Sequence, residues 1–88
     1  MHYEFDPIKD NRNFSKHGLR LADAENFDWE TAVVLEDRRH VYAEPRFETK
    51  GYVGDRLCVM VFCLRENVVR VISLRKANLR EVRSYAKA

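Results

Sequence analysis

The stretch Leu57-Cys58-Val59-Met60-Val61-Phe62-Cys63-Leu64 is the longest apolar run of the chain and decides the fold. It is far shorter than the about 18 apolar residues of a membrane span, and its β-branched content predicts a strand. Because every residue in it is apolar, we expect helices to cover one face and a second layer or a partner to cover the other. Cys58 and Cys63 lie roughly 16 Å apart along an extended strand, so they are expected as buried free thiols in a reducing compartment.

Three further strands are predicted around this central strand. A short loop at Glu66-Asn67 leads into Val68–Arg75, which we expect to pair antiparallel with the central strand. Upstream, alternating apolar residues predict strands at Val33–Asp37 and Val41–Glu48, joined by a tight connection. Thr49–Asp55 is then expected to be a loop that contains two glycines.

Three helices are predicted outside the strands. Asp6-Pro7 suits the N-cap and first position of a helix, and Gly18 suits its end. Asn78 with Glu81 three residues later is the capping-box pattern of a terminal helix. A second, short helix is indicated by apolar residues spaced by three: Leu21, Ala24 and Phe27. The predicted order is two N-terminal helices, about four antiparallel strands and a C-terminal helix, an α+β fold in which residues 1–88 form one domain.

Composition and length exclude several classes of protein. The chain has 88 residues, of which 45% are hydrophobic and 34% charged, as in folded globular proteins. A chain of this size buries a small core, so a surface cleft is expected rather than an enclosed pocket. The His and Cys residues lack metal-site spacing and no glycine-rich nucleotide loop occurs, so neither a metal nor a cofactor is expected. No targeting or transmembrane pattern is visible, and we expect a cytoplasmic protein.

The charge is distributed unevenly along the chain. The formal net charge is +2, but residues 1–37 carry −5, residues 38–64 carry +2 and residues 65–88 carry +5. The last quarter of the chain is therefore the natural place for contact with an anionic partner. A solvated face of a charged helix is the alternative explanation.

A set of short motifs resembles a known family over nearly the whole chain. The motifs are Phe5-Asp6-Pro7 with Lys9, Asn13, Lys16-His17-Gly18, Tyr42-x-Glu44-x-Arg46, Gly54-x-Arg56, Arg65, and Arg70-x-Ile72-Ser73-x-Arg75-Lys76-Ala77 with Glu81 and Tyr85. In this order and spacing they resemble the BrnT toxin family of bacterial type II toxin–antitoxin systems. The resemblance implies a RelE-like fold and a metal-independent ribonuclease that inhibits translation. It also implies neutralisation by a BrnA-type antitoxin with a ribbon-helix-helix DNA-binding domain, in an assembly of two toxins and two antitoxins that represses its own operon.

Cleavage of RNA without a metal ion requires side chains that act as a base, as an acid and as cations. The 2′-hydroxyl attacks the adjacent phosphate if a base removes its proton, an acid protonates the leaving oxygen and cations stabilise the transition state. Arg65 and Arg75 are the first candidates for the phosphate, because a guanidinium is a planar, permanently charged fork. The candidates for acid and base are His17 and Glu44, followed by Tyr85 and His40. Further RNA contacts are expected from Lys16, Arg46, Lys76, Arg80 and Arg83.

Several of these residues also fit ordinary structural roles. Arg65 and Arg75 close antiparallel strands at opposite ends, roughly 26 Å apart, which argues against one tight clamp. His17 also suits a helix C-terminus, and Tyr85 suits a packed ring with a solvated hydroxyl. A non-catalytic nucleic-acid-binding module, or a protein that acts by docking another chain, remains the alternative function.

Overall fold

The central apolar run forms the middle of a five-stranded sheet in the computed structural model, which describes residues 2–87. The elements are β1 (His2–Glu4), α1 (Pro7–His17), a 3-10 helix (Leu21–Asn26), β2 (Val33–Asp37), β3 (Arg46–Val53), β4 (Arg56–Arg65), β5 (Val68–Lys76) and α2 (Leu79–Ala86). The strand order is β1-β5-β4-β3-β2, with β1 parallel to β5 and the other pairs antiparallel. No helix in residues 2–87 is long and apolar enough to cross a membrane.

Local sequence signals place both helices. The Asp6 carboxylate accepts a hydrogen bond from the Ile8 N–H at 2.8 Å, and Gly18 ends α1 with a φ of 73°. That left-handed conformation is open to glycine without steric cost. At α2 the capping box forms reciprocally, because Asn78 accepts from the Glu81 N–H and Glu81 accepts from the Asn78 N–H. These predicted helix starts, and the end of α1, are confirmed.

The core lies between one face of the sheet and the N-terminal segments. Cys58, Met60 and Phe62 on β4 pack with buried residues of β5 and of the 3-10 helix. Phe27, just beyond that helix, lies directly over Gly51 of β3, where an added Cβ would overlap its ring. Gly51 is therefore glycine because the aromatic ring occupies the space of a side chain.

The second face of the sheet is covered at one end. There α2 contacts the sheet through Arg75, which pairs with Glu81, and through Tyr85, whose ring meets that of Tyr52 edge to face. Towards the other end the second face presents polar and charged side chains. The predicted burial of β4 on both faces is thus confirmed along most of the strand but not at Leu64, which is exposed.

The predicted arrangement of two N-terminal helices and about four antiparallel strands in a RelE-like fold is wrong in its details, although the α+β class holds. The sheet has five strands and is mixed, because residues 2–4 form β1 beside β5. A strand of three residues is too short to show a periodic pattern. The second helix is a single 3-10 segment, whose residues Leu21 and Ala24 are buried as the spacing indicated.

The predicted strand at Val41–Glu48 and the loop at Thr49–Asp55 are also wrong. Residues 38–45 form an irregular loop, β3 runs from Arg46 to Val53, and the turn is confined to Gly54 and Asp55. The pairing of Gly51 and Thr49 with β4 explains the difference, because a glycine is tolerated in a strand where another group approaches closely. The predicted strands at Val33–Asp37 and in the central run are confirmed, with β4 starting one residue earlier and ending one later.

Two irregularities along β5 position the surface described below. A register shift opposite Val61 and Phe62 leaves Ile72 as an extra residue, because Val61 pairs with Ser73 and Phe62 pairs with Val71. Such a bulge disrupts the alternation of side chains between the two faces. Beyond β1, the Asn13 side chain of α1 takes the place of a neighbouring strand, since its amide donates to the Leu74 carbonyl and accepts from the Leu74 N–H.

Candidate functional site

A cleft of about 230 Å³ lies where β3, β4 and β5 present charged side chains beside the loop at residues 38–45. We call it the arginine cleft. Its lining residues are Lys9, Tyr42, Ala43, Glu44, Arg46, Cys63, Arg65, Arg70 and Ile72. Four cations and a single carboxylate line it, so the cleft favours an anionic ligand.

Arg65 and Glu44 form a close pair in this cleft. The Arg65 Nε lies 3.0 and 2.9 Å from the two Glu44 carboxylate oxygens, and one terminal guanidinium nitrogen lies 2.6 Å from Oε1. Hydrogen bonding to Arg65 lowers the pKa of Glu44 and in return raises the pKa of Arg65. Glu44 is therefore a carboxylate at neutral pH, and Arg65 is held in one orientation with much of its surface still open to solvent.

The loop that carries Glu44 is held by Asp37 at the end of β2. The Asp37 carboxylate accepts bonds from the Arg39 backbone and guanidinium at 2.9 to 3.1 Å and from the Tyr42 hydroxyl at 3.0 Å. The Arg39 hydrogen bonds lower the pKa of Asp37. The Arg46 guanidinium carbon lies 4.5 Å from the centre of the Tyr42 ring, a cation–π distance. Asp37 and Tyr42 thus order one wall of the arginine cleft.

A second cleft of about 190 Å³ adjoins the first, between α1 and β5. We call it the helix cleft. Its lining residues are Lys9, Arg12, Asn13, Lys16, His17, Ile72 and Ser73, so Lys9 and Ile72 line both clefts. Burial, together with the neighbouring charges of Lys16 and Arg75, lowers the pKa of His17 below 6.5. His17 is therefore mostly neutral at pH 7 and is able to accept a proton.

Arg75 lines neither cleft and instead fastens α2 to the sheet. Its two terminal nitrogens lie 2.7 and 2.8 Å from the two carboxylate oxygens of Glu81. The Arg75 hydrogen bonds lower the pKa of Glu81 to about 2. Because Glu81 also caps α2, the pair joins the end of β5 to the helix start.

This pair predicts a stability that depends on pH. The pKa of Glu81 is about 2 in the folded chain against an ordinary value of 4.5. The stability that ionised Glu81 contributes is therefore fully present above about pH 4.5 and is lost as the pH falls towards 2. The Glu81→Gln variant should be less stable than the parent at neutral pH, by about 1–2 kcal/mol after solvent screening. Urea unfolding of both proteins should show that the difference in their free energies of unfolding becomes smaller as the pH falls through this range. Glu25→Gln, at an exposed position, is the control. A difference in free energy of unfolding that stays constant with pH would contradict a stabilising role of the Arg75–Glu81 pair.

The other predicted site residues lie outside both clefts. The Tyr85 hydroxyl donates to the Thr31 carbonyl at 2.6 Å, in the region where α2 meets the sheet. Lys76, Arg80 and Arg83 are exposed and line neither cleft. The structure therefore brings Glu44, Arg46 and Arg65 together, places Lys16 and His17 in the adjoining cleft, and leaves Arg75, Tyr85 and these three cations elsewhere.

Lys9, Tyr42 and Arg70 are polar or charged residues of the arginine cleft to which the sequence assigns no functional role. All three fall within motifs that the sequence already singles out: Phe5-Asp6-Pro7 with Lys9, Tyr42-x-Glu44-x-Arg46, and the segment that begins at Arg70. Lys9 is brought to the cleft by the docking of α1 against β5, a tertiary contact that no local pattern reveals. Among residues 2–87 there is no group of three or more His, Cys, Asp or Glu side chains placed to hold a metal ion.

The protein thus has a small α+β fold with a mixed sheet, and its cation-lined clefts form a surface that suits an anionic ligand. The sequence model of the ribonuclease toxin BrnT of type II toxin–antitoxin systems matches residues 5–81, and the chain belongs to this family. Family membership makes it a ribonuclease toxin with an antitoxin partner. A comparison with curated proteins gives no match.

Proposed function

We propose that the protein is an endoribonuclease that cleaves RNA in the arginine cleft without a metal ion and thereby inhibits translation in the cytoplasm. The observation that carries this proposal is the convergence of four cations, Lys9, Arg46, Arg65 and Arg70, around the Glu44 carboxylate. In the reaction, the 2′-oxygen forms a bond to the adjacent phosphorus and the bond to the 5′-oxygen breaks. The products are a 2′,3′-cyclic phosphate and a 5′-hydroxyl.

The cations stabilise the phosphate and the charge that develops on it. Arg65 suits the non-bridging oxygens because its guanidinium is oriented before RNA binds and is a bidentate donor. Arg46 is held against the Tyr42 ring, and Arg70 lies 3.3 Å from a Glu4 carboxylate oxygen. Lys9 lines both clefts, and its ammonium group suits the charge on the leaving 5′-oxygen, which takes its proton from water.

Glu44 is the first candidate for the base that accepts the 2′-hydroxyl proton. In the free protein, Arg65 lowers its pKa, which keeps it deprotonated but weakens it as a base. A phosphate that binds Arg65 competes for the same guanidinium donors and releases the carboxylate beside the sugar, where its pKa rises towards the ordinary value. His17, neutral at pH 7 in the adjoining cleft, is the second candidate.

The partner part of the proposal follows the family resemblance. We expect neutralisation by a BrnA-like antitoxin with a ribbon-helix-helix domain, in a complex of two toxins and two antitoxins. In this complex the antitoxin would bind the operator DNA, and the complex would thereby repress its own operon. The positive charge of the arginine cleft also means that an antitoxin which covers it must bring acidic or anionic groups, or leave cations unpaired.

The test is cleavage of RNA by the purified protein in the presence of a chelator, together with growth after induced expression. We expect growth arrest and RNA fragments that end in 2′,3′-cyclic phosphate, with no loss of cleavage when the chelator is added. Loss of cleavage with chelator would overturn the metal-independent mechanism. Intact RNA from folded protein that still binds RNA would favour the non-catalytic binding module.

A further inference from the structure

We propose that the helix cleft is a second phosphate-binding subsite, which holds a single-stranded RNA beside the cleavage position so that the strand fills both clefts. The proposal rests on the proposed ribonuclease function and names its substrate class. It assigns Arg12 and Lys16 the role of anchoring the RNA backbone outside the arginine cleft. Three independent features of the structure support it.

The first feature is the spacing of cations on α1. Lys9, Arg12 and Lys16 are separated by three and four residues, so they form one stripe along the helix. From Lys9 to Lys16 this stripe is about 10 Å long, since a helix rises 1.5 Å per residue. A row of cations of this length follows an extended chain of phosphates better than a single small anion.

The second feature is that these cations differ from the arginines of the sheet in their ion pairing among the described residues. Arg65, Arg70 and Arg75 each form an ion pair with a carboxylate. Within residues 2–87, by contrast, no ion pair involves Lys9, Arg12 or Lys16, and no acidic residue lines the helix cleft. Like charges at this helical spacing repel one another, and a bound polyanion removes that repulsion.

The third feature is the bulge in β5. It places Ile72 in the lining of both clefts, with Ser73 in the helix cleft and Arg70 in the arginine cleft. The two clefts therefore share an apolar side chain, Ile72, and a cation, Lys9. An unpaired strand can lay its sugars and bases along such a path, whereas the bases of a duplex are stacked inside it.

The experiment measures the binding of a single-stranded RNA oligonucleotide with 2′-O-methyl groups throughout, which has no 2′-hydroxyl to attack. Its dissociation constant is measured from about 50 to 200 mM salt for the parent protein and for Arg12→Gln/Lys16→Gln. Removing two phosphate contacts should reduce the slope of log K against log salt by about 1.4, since each contact to a single strand contributes about 0.7. The control is Arg56→Gln/Lys87→Gln, which removes two exposed positive charges outside both clefts.

The expected result is a reduced slope and weaker binding for Arg12→Gln/Lys16→Gln, with the control close to the parent. Equal losses in both double variants would show an effect of net charge and overturn the subsite. An unchanged slope in the α1 variant, or equally tight binding of a duplex of the same length, would also overturn it. Because this oligonucleotide is not cleaved, absence of cleavage by the parent on ordinary RNA would count against the proposed reaction and leave the subsite result standing.

Discussion

Replacing Arg65 with alanine should lower kcat/KM for RNA cleavage by a factor of about 10² to 10⁴, the usual range for loss of one group that stabilises transition-state charge. The guanidinium is held by two Glu44 oxygens and is the best-oriented donor in the arginine cleft. Alanine removes both the phosphate contact and the group that orients Glu44. The measurement is single-turnover cleavage of a defined RNA, with circular dichroism to verify folding.

The fold should survive this substitution. Both partners are partly solvent-exposed, and exposed ion pairs contribute about 0–1 kcal/mol to stability. Arg38→Ala is the matched control, because Arg38 is also an exposed arginine in a surface pair, 3.4 Å from Glu36, but it does not line the arginine cleft. We expect this control to cleave RNA as the parent does.

Arg65→Lys separates charge from geometry. Lysine keeps the positive charge but loses the planar fork that binds two oxygens at once, so its activity should fall between those of the parent and Arg65→Ala. Glu44→Gln tests the base directly, and it should lower kcat more than it raises KM. Full activity in Arg65→Ala, or a loss that the Arg38→Ala control shares, would remove Arg65 from the site.

Sequence reasoning located the elements with strong local signals and failed where the signal is a tertiary contact. The caps at Asp6, Gly18 and Asn78 act within a few residues, and the structure has all three where the pattern placed them. β1 exists because residues 2–4 meet a strand more than sixty positions later, which no short window contains. The same applies to β3, where the sequence predicts Gly51 in a loop but the structure has it in a strand, covered by Phe27.

In the candidate site, too, some residues could be predicted from local sequence and others are placed only by packing. Glu44 and Arg46 are two residues apart and Arg65 ends a recognisable strand, so a sequence motif could propose them together. Charge counted along the chain was less informative. The first 37 residues have a net charge of −5 but supply Lys9, Arg12 and Lys16 to the clefts, while the exposed cations of α2 line neither. What decides the surface potential is which side of α1 faces β5, and that depends on packing.

Asn13→Ala should be strongly destabilising, lowering the free energy of unfolding by about 2–4 kcal/mol. Asn13 is only 7% exposed. Its amide nitrogen donates to the carbonyls of Leu19 and Leu74 at 2.8 and 2.7 Å, and its oxygen accepts from the Leu74 N–H at 3.1 Å. Alanine leaves the two buried groups of Leu74 and the part-buried carbonyl of Leu19 unpaired. Each unpaired buried group costs about 1–3 kcal/mol unless water reaches it.

Urea unfolding measures this loss, and Asn11→Ala provides the control. Asn11 lies on the same helix but is exposed, and its oxygen accepts a single bond from Arg20 at 3.0 Å. Its replacement should change stability by no more than about 0.5 kcal/mol, so equal effects of the two substitutions would contradict the edge-pairing role of Asn13. Because Asn13 fastens α1 to the free edge of β5, its loss should also weaken RNA binding through the helix cleft, even at temperatures where the variant is still folded.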